Sequence, residues 1–194
     1  MDFTFVCIDT AGIDPAVHGI IEVAAVRGVI TADSFEIGEE KFHTYVEPHG
    51  DTSVSMRKLN EVNNRLYIHS GEYAMYEVEV YDSLCRFSTY DYKLKVADWW
   101  SCDAAKDDRF WNALLDRLDG DAGICGSVRS LCTASLYGIF ASCGRVPTVF
   151  GKAYLHTQAK GLGIDWARDH VNLLDSAIVG AKVLNALVKM GGMV

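Results

Sequence analysis

The sequence predicts an α/β domain, a mixed sheet of about five strands whose first three are antiparallel, with helices on both faces. Three observations predict it. Two apolar, β-prone runs, residues 3–8 (FTFVCI) and 19–30 (GIIEVAAVRGVI), flank a tight polar turn punctuated by Asp14, Pro15 and Gly19. A third run, residues 34–48, alternates polar and apolar positions, with Phe42, Tyr45 and Val46 as inward anchors. Beyond residue 100 the period becomes helical: Phe110, Leu114 and Leu118 recur at spacings of four with Trp111 beside them, and Ala177, Ala181, Leu184 and Leu187 line a closing helix.

The remaining elements follow in order. Residues 52–64 (TSVSMRKLNEVNN) read as a short helix opened by a Ser or Thr cap, with Val54, Met56, Leu59 and Val62 on one face. Residues 65–95 are rich in Tyr and show no clean helical period, which reads as irregular chain or a hairpin. Asp98-Trp99-Trp100 precedes the amphipathic helix over residues 107–118. Residues 123–128 read as the fourth strand and 131–143 as the helix after it. A strand remnant at 146–150 is confined by Pro147 to an edge or a strand start, and a helix over 152–162 is broken by Gly161 and Gly163.

At 194 residues the chain is long enough for one domain with a full core, and its 49% hydrophobic and 23% charged content is that of a globular chain. No apolar run approaches the ~18 residues of a membrane helix. The N-terminus also lacks the basic flank and cleavage site of a signal peptide, so no membrane partner is expected. The expected location is the cytoplasm, or a host's cytoplasm or a virion for a viral chain. Cys7, Cys85, Cys102, Cys125, Cys132 and Cys143 show no Cys-x-x-Cys spacing and no paired His, which argues for reduced thiols over structural zinc.

The formal net charge of −8 is unevenly spread: residues 31–121 carry 19 acidic and 10 basic side chains, whereas residues 151–194 carry five basic and three acidic ones. Phosphate contacts dominate nucleic-acid affinity, so this balance weighs against a strong nucleic-acid binder. The tyrosines of residues 65–95 suggest a stacking platform for single strands, but they lie among Glu72, Glu77, Glu79, Asp82 and Asp91. Packing on the domain or on a partner protein suits them better. His43 and His49, six apart on or after the third run, read as polar surface.

The opening phrase carries a resemblance. A strand ending in Asp9, a short turn, and then Ile20-Ile21-Glu22-Val23-Ala24-Ala25-Val26 resembles the start of the DEDDh 3′–5′ exonucleases, the DnaQ-like and ribonuclease T-like branch of the ribonuclease H-like fold. Asp169-His170-Val171-Asn172-Leu173-Leu174-Asp175-Ser176-Ala177 is similar to that family's closing His-x-Ala-x-x-Asp-Ala motif, with Asn172 and Ser176 in place of the two alanines. The Trp-Trp pair ahead of a helix is similar to a feature of a phage-associated branch. The resemblance covers about residues 3–63 and 97–190 of a single domain spanning 1–194, and makes the acidic, Tyr-rich segment at about 65–105 an insert.

In an intact member, four carboxylates hold two Mg²⁺ or Mn²⁺ ions about 4 Å apart while a His deprotonates the attacking water. By position the resemblance makes Asp9 and Asp175 metal-binding and His170 the general base. Ala11 stands where the first motif has its Glu, and the second motif's Asp, counted along residues 126–132, falls on Ser130, Leu131 or Cys132. None of these offers a carboxylate to a hard cation. The remnant set is Asp9, His170 and Asp175, with metal at Asp9 and Asp175 weak or absent. The resemblance thus implies a degenerate, catalytically impaired exonuclease-like domain serving as a binding or structural component, for instance in a viral or phage assembly. Its partners would be single-stranded nucleic acid and, through the insert, a protein. Two alternatives stay open: an active metal-dependent 3′–5′ exonuclease on single-stranded DNA or RNA, and a protein-interaction module without nucleic-acid contact.

Overall fold

The computed structural model describes residues 1–47, 74–88, 96–117, 127–148, 154–166 and 173–194. Among these residues six strands, β1 (Asp2–Thr10), β2 (Ile20–Ile30), β3 (Phe35–Val46), β4 (Ala74–Met75), β5 (Val96–Ser101) and β6 (Ser127–Cys132), form one sheet in the order β4-β3-β2-β1-β5-β6. β1, β2 and β3 are successively antiparallel, whereas β4 runs parallel to β3, β5 to β1, and β6 to β5. Five helices accompany them: α1 (Glu77–Ser88), α2 (Ala104–Arg117), α3 (Thr133–Ser142), α4 (Leu155–Gly161) and α5 (Leu173–Gly191). This is the mixed, helix-flanked ribonuclease H-like sheet that the sequence predicts.

β1 reads as a continuous apolar run because both of its faces are covered. Phe3 and Phe5 join Ala24 and Val26 of β2 under Ala177, Ala181, Leu184 and Val188 of α5. Val6 and Ile8 point the other way, into Val80, Tyr81 and Leu84 of α1 and Phe110, Trp111 and Leu114 of α2. Trp99 of β5 closes this second layer, edge-on to Trp111 with ring centroids 5.2 Å apart. A third cluster, with Tyr137 and Phe140 of α3, Leu155 and Ala159 of α4, and Val183 and Leu187 of α5, covers the sheet's far end. Among the described residues no helix is long and apolar enough to cross a membrane.

Several elements depart from expectation. β5 is a central strand that the local pattern does not announce, because its six residues, VADWWS, mix Asp98 and Ser101 with two indoles. The strand expected at 123–128 runs over Ser127–Cys132 as β6, at the sheet edge, while residues 123–126 lie outside the described ones. Irregular chain was expected over 65–95, yet residues 77–88 form α1. There the alternation of Val78 and Val80 hides a buried stripe, Val80, Tyr81, Leu84 and Cys85, that has helical spacing. Residues 146–148 form no strand, and the helix expected at 52–64 lies outside the described residues.

The tightest contact of α5 with the sheet is at Gly180, where an added Cβ would come within 2.0 Å of the Phe5 ring. Gly138, in α3, meets nothing within 4 Å. Urea denaturation should therefore show Gly180→Ala destabilised by about 1–3 kcal/mol through overpacking. Gly138→Ala should gain about 0.5–1 kcal/mol from helix propensity alone. Equal effects at both positions would contradict the packing of α5 on β1.

Candidate active site

The parallel strands β1, β5 and β6 present their carboxyl ends on one edge of the sheet, the edge where open α/β sheets gather chemistry. β1 ends there in Asp9, half-buried, whose Oδ1 accepts the Thr10 N–H at 3.0 Å. The β1–β2 register shifts just after it, with Thr10 opposite Ile20, so the strand end is bent as it leaves the ladder. Thr10 Oγ1 donates to the Gly12 carbonyl at 2.8 Å, and the Ala11 N–H donates to the Gly19 carbonyl at 3.0 Å, closing the turn.

Beneath the turn lies His18, its Nδ1 2.9 Å from the Asp14 carbonyl. Gly12 is required here, since a Cβ would meet the imidazole at 2.5 Å. Arg117 of α2 ties the turn down from outside, donating to the Pro15 carbonyl at 3.3 Å while pairing with Glu77 of α1 at 2.8 Å. Ala11 itself is 2% exposed and packs with Ile21. Position 11 is therefore a buried methyl.

Glu22 lies directly opposite Asp9 across the β1–β2 ladder, on the same face, and is 1% exposed. Its Oε1 lies 2.8 Å from Nε2 of His43 on β3, and His43 rests edge-on against Tyr45 at 5.4 Å. His43, read from sequence as polar surface, is thus the partner of a buried carboxylate. The spacing along one strand cannot show what the next strand places beside it.

Next to β1, the chain leaves β5 at Ser101 and enters α2, whose first turn carries Asp107, 6% exposed. Burial raises this carboxyl from 3.8 to about 7, with Lys106 opposing and Asp103 and Asp108 adding to the rise. The Cys7 thiol, two residues before Asp9 and on its face, is pushed well above its ordinary value by burial, then by the charges of Asp107 and Cys102, against Lys106. That coupling places Asp107 in the neighbourhood of β1. Cys102 is likewise raised to about 12 by burial, so neither thiol is a nucleophile at neutral pH.

Asp107 is the acidic group that sequence reasoning missed. The second motif's carboxylate was expected after the strand at 123–128, but β6 is separated from β1 by β5, and Asp107 stands at the start of the helix that follows β5, the strand next to β1. The signal was the Trp-Trp pair: it lies within the inner strand and leads directly into an acidic helix start. Asp175 stands in the first turn of α5, half-buried, five residues before the Gly180 contact with Phe5 and on the Asp9 face of the sheet. His170 lies outside the described residues. Among the described residues no three His, Cys, Asp or Glu side chains converge closely enough to hold a metal ion.

No family model and no curated protein matches the chain. Solved structures do. Cell-death related nuclease 4 (CRN-4) aligns over 98% of this chain with a TM-score of 0.71 at 13% identity. The fold is that of the DnaQ-like nucleases. Exonuclease I of E. coli, in a zinc-bound complex with single-stranded DNA, aligns over 98% with a TM-score of 0.65 at 14% identity. Exonuclease I of Methylocaldum szegediense aligns over 97% with a TM-score of 0.63 at 13% identity. This chain spans 40% of either exonuclease I and 64% of CRN-4.

The buried Asp107 carboxyl sets a pH dependence. With the folded value at about 7 against 3.8 for the free group, the folded state keeps a proton that the unfolded chain has lost between those limits. Stability therefore falls as pH rises across that window and levels off above it. Urea melts at about pH 4, 5.5 and 7 should show the wild type losing up to roughly 4 kcal/mol relative to Asp107→Asn, which lacks this fall. Parallel profiles would mean that the carboxyl is solvated.

Proposed function

We propose that this chain is an exonuclease-like domain that holds single-stranded nucleic acid at the carboxyl ends of β1 and β5, with catalysis impaired by the loss of one metal ligand. The observation that carries this reading is Ala11, an apolar side chain packed on Ile21 at the position of the family's second carboxylate. Exonuclease I, which shares the fold, is known in complex with single-stranded DNA, and that likeness supports the choice of ligand.

Asp107 supplies the carboxylate for which the second motif gave no counterpart. Asp9, Asp107 and Asp175 are hard-oxygen donors suited to Mg²⁺ or Mn²⁺, and His170 is the base that would take a proton from water. As placed in the structure the three carboxylates do not converge closely enough to hold a metal ion, so the set would bind a single cation only weakly, with water completing its shell. It does not fit two, because the ligand that Glu would add at position 11 is missing. A bound cation would polarise the phosphodiester, while the chain's own residues orient the strand end and accept the proton. The burial that keeps Asp107 protonated near neutrality is relieved when a cation lies beside it.

A second reading, an active metal-dependent 3′–5′ exonuclease, is favoured by Asp107, since three carboxylates rather than two remain. The two separate on one assay, degradation of a labelled single-stranded oligonucleotide in Mn²⁺. Ala11→Glu, or the shorter Ala11→Asp, should raise the rate at least about tenfold over wild type, and Asp9→Ala should abolish the gain; thermal melting verifies that each variant folds. Fast wild-type cleavage that Ala11→Glu does not improve, and that Asp9→Ala removes, would establish the second reading. Failure of the wild type to bind the oligonucleotide at all would defeat both and leave the protein-interaction module.

A further inference from the structure

α4 and the turn after it form a concavity. The inner side of α4, Leu155, Gln158 and Ala159, is buried, and Gln158 Nε2 donates to Cys102 Sγ at 3.1 Å, which pins the helix to the chain leaving β5. On its other side His156, Thr157 and Lys160, with Gly163, Asp165 and Trp166 from the turn, line a cavity of about 700 Å³. That volume lies within the range of small-molecule sites. Gly163, at φ 68°, forms part of the wall in a backbone conformation that excludes most side chains, and a Cβ there would meet nothing within 4 Å.

The aromatic arrangement points to the ligand. Tyr154, 57% exposed, stacks on His156 with ring planes 10° apart and centroids 6.0 Å apart. The pair, an exposed Tyr154 outside the cavity lining and a half-buried His156 within it, runs from the cavity to the surface. It is the surface on which a flat heterocycle stacks, and Lys160 lies one helical turn on, where a phosphate attached to that heterocycle would pass. We propose that this cavity holds one nucleotide of a single-stranded nucleic acid, its base on the Tyr154–His156 pair and its phosphate at Lys160.

The proposal rests on the nucleic-acid reading above and deepens it by adding a strand contact outside the carboxylate rim. It also accounts for how a chain of net charge −8 engages a polyanion. Asp165 offsets Lys160 in the lining, so affinity comes from stacking, which is indifferent to base identity, and depends only weakly on salt.

Fluorescence anisotropy of a labelled single-stranded oligonucleotide, with Ca²⁺ to suppress cleavage, tests it on the full chain. Tyr154 and Lys160 are exposed, so their substitution leaves the core intact. Tyr154→Ala should weaken binding about five- to a hundredfold, whereas Tyr154→Phe should bind as wild type. Lys160→Ala should lower the slope of log affinity against log salt by about 0.7. If the wild type binds and Tyr154→Ala and Lys160→Ala bind equally well, the cavity is not on the strand's path, and the nucleic-acid reading stands without it. If the wild type does not bind at any salt concentration, both fall.

Discussion

The pairing of β1 on both edges and its burial on both faces is the constraint on which the rest depends. β2 holds it antiparallel over nearly its whole length, β5 holds it parallel, α5 covers the face with Phe5, and α1 and α2 cover the face with Val6 and Ile8. A strand enclosed in this way cannot slip its register, since a shift of one residue would turn Phe5 toward α1 and α2 and Val6 toward α5. The position of Asp9 at the strand end is therefore fixed by the packing of β1. Glu22, Cys7 and the entry to α2 inherit their places from the same strand.

The rim built on that strand breaks local rules in a concentrated way. Asp9 and Glu22 face one another across the ladder although like charges so placed repel. Glu22 is buried and relies on His43, and Asp107 sits in an environment that favours its neutral form. Acidic groups in such environments are commoner at functional sites than elsewhere. Ala11 is the contrary feature, a position at which the chain has relaxed into plain apolar packing. The proposed separation of binding from catalysis rests on that contrast.

The cavity at α4 lies on the helix that Gln158 ties to the end of β5. Because Gln158 joins α4 to Cys102 and α2 starts two residues later, a strand resting on Tyr154 and His156 would share a rigid support with Asp107. Stacking and metal-dependent contact are then separable parts of one surface, the first dependent on aromatic area and the second on charge.

What could be read locally was read well. Asp9 at a strand end follows from an apolar run stopped by turn residues, and α5 follows from Ala177, Ala181, Leu184 and Leu187 on one helical face, because in both cases the period of burial is written into neighbouring residues. Where local signal and tertiary environment part, the sequence misleads. Asp107 resembles any acidic residue in a helix's first turn, where the helix dipole alone would favour it, and only its burial beside β1 sets it apart. His43 shows its partner only when β3 is laid against β2. β5 takes its central place through a pairing of Phe5 with Trp100, about ninety residues apart, and nothing in VADWWS records that partner. The sequence by itself determined the alternation of strands and helices and the absence of a carboxylate at position 11. Only the tertiary structure decided the order of the strands and the burial of Asp107, because strand order is set by non-local packing that no short stretch of sequence encodes.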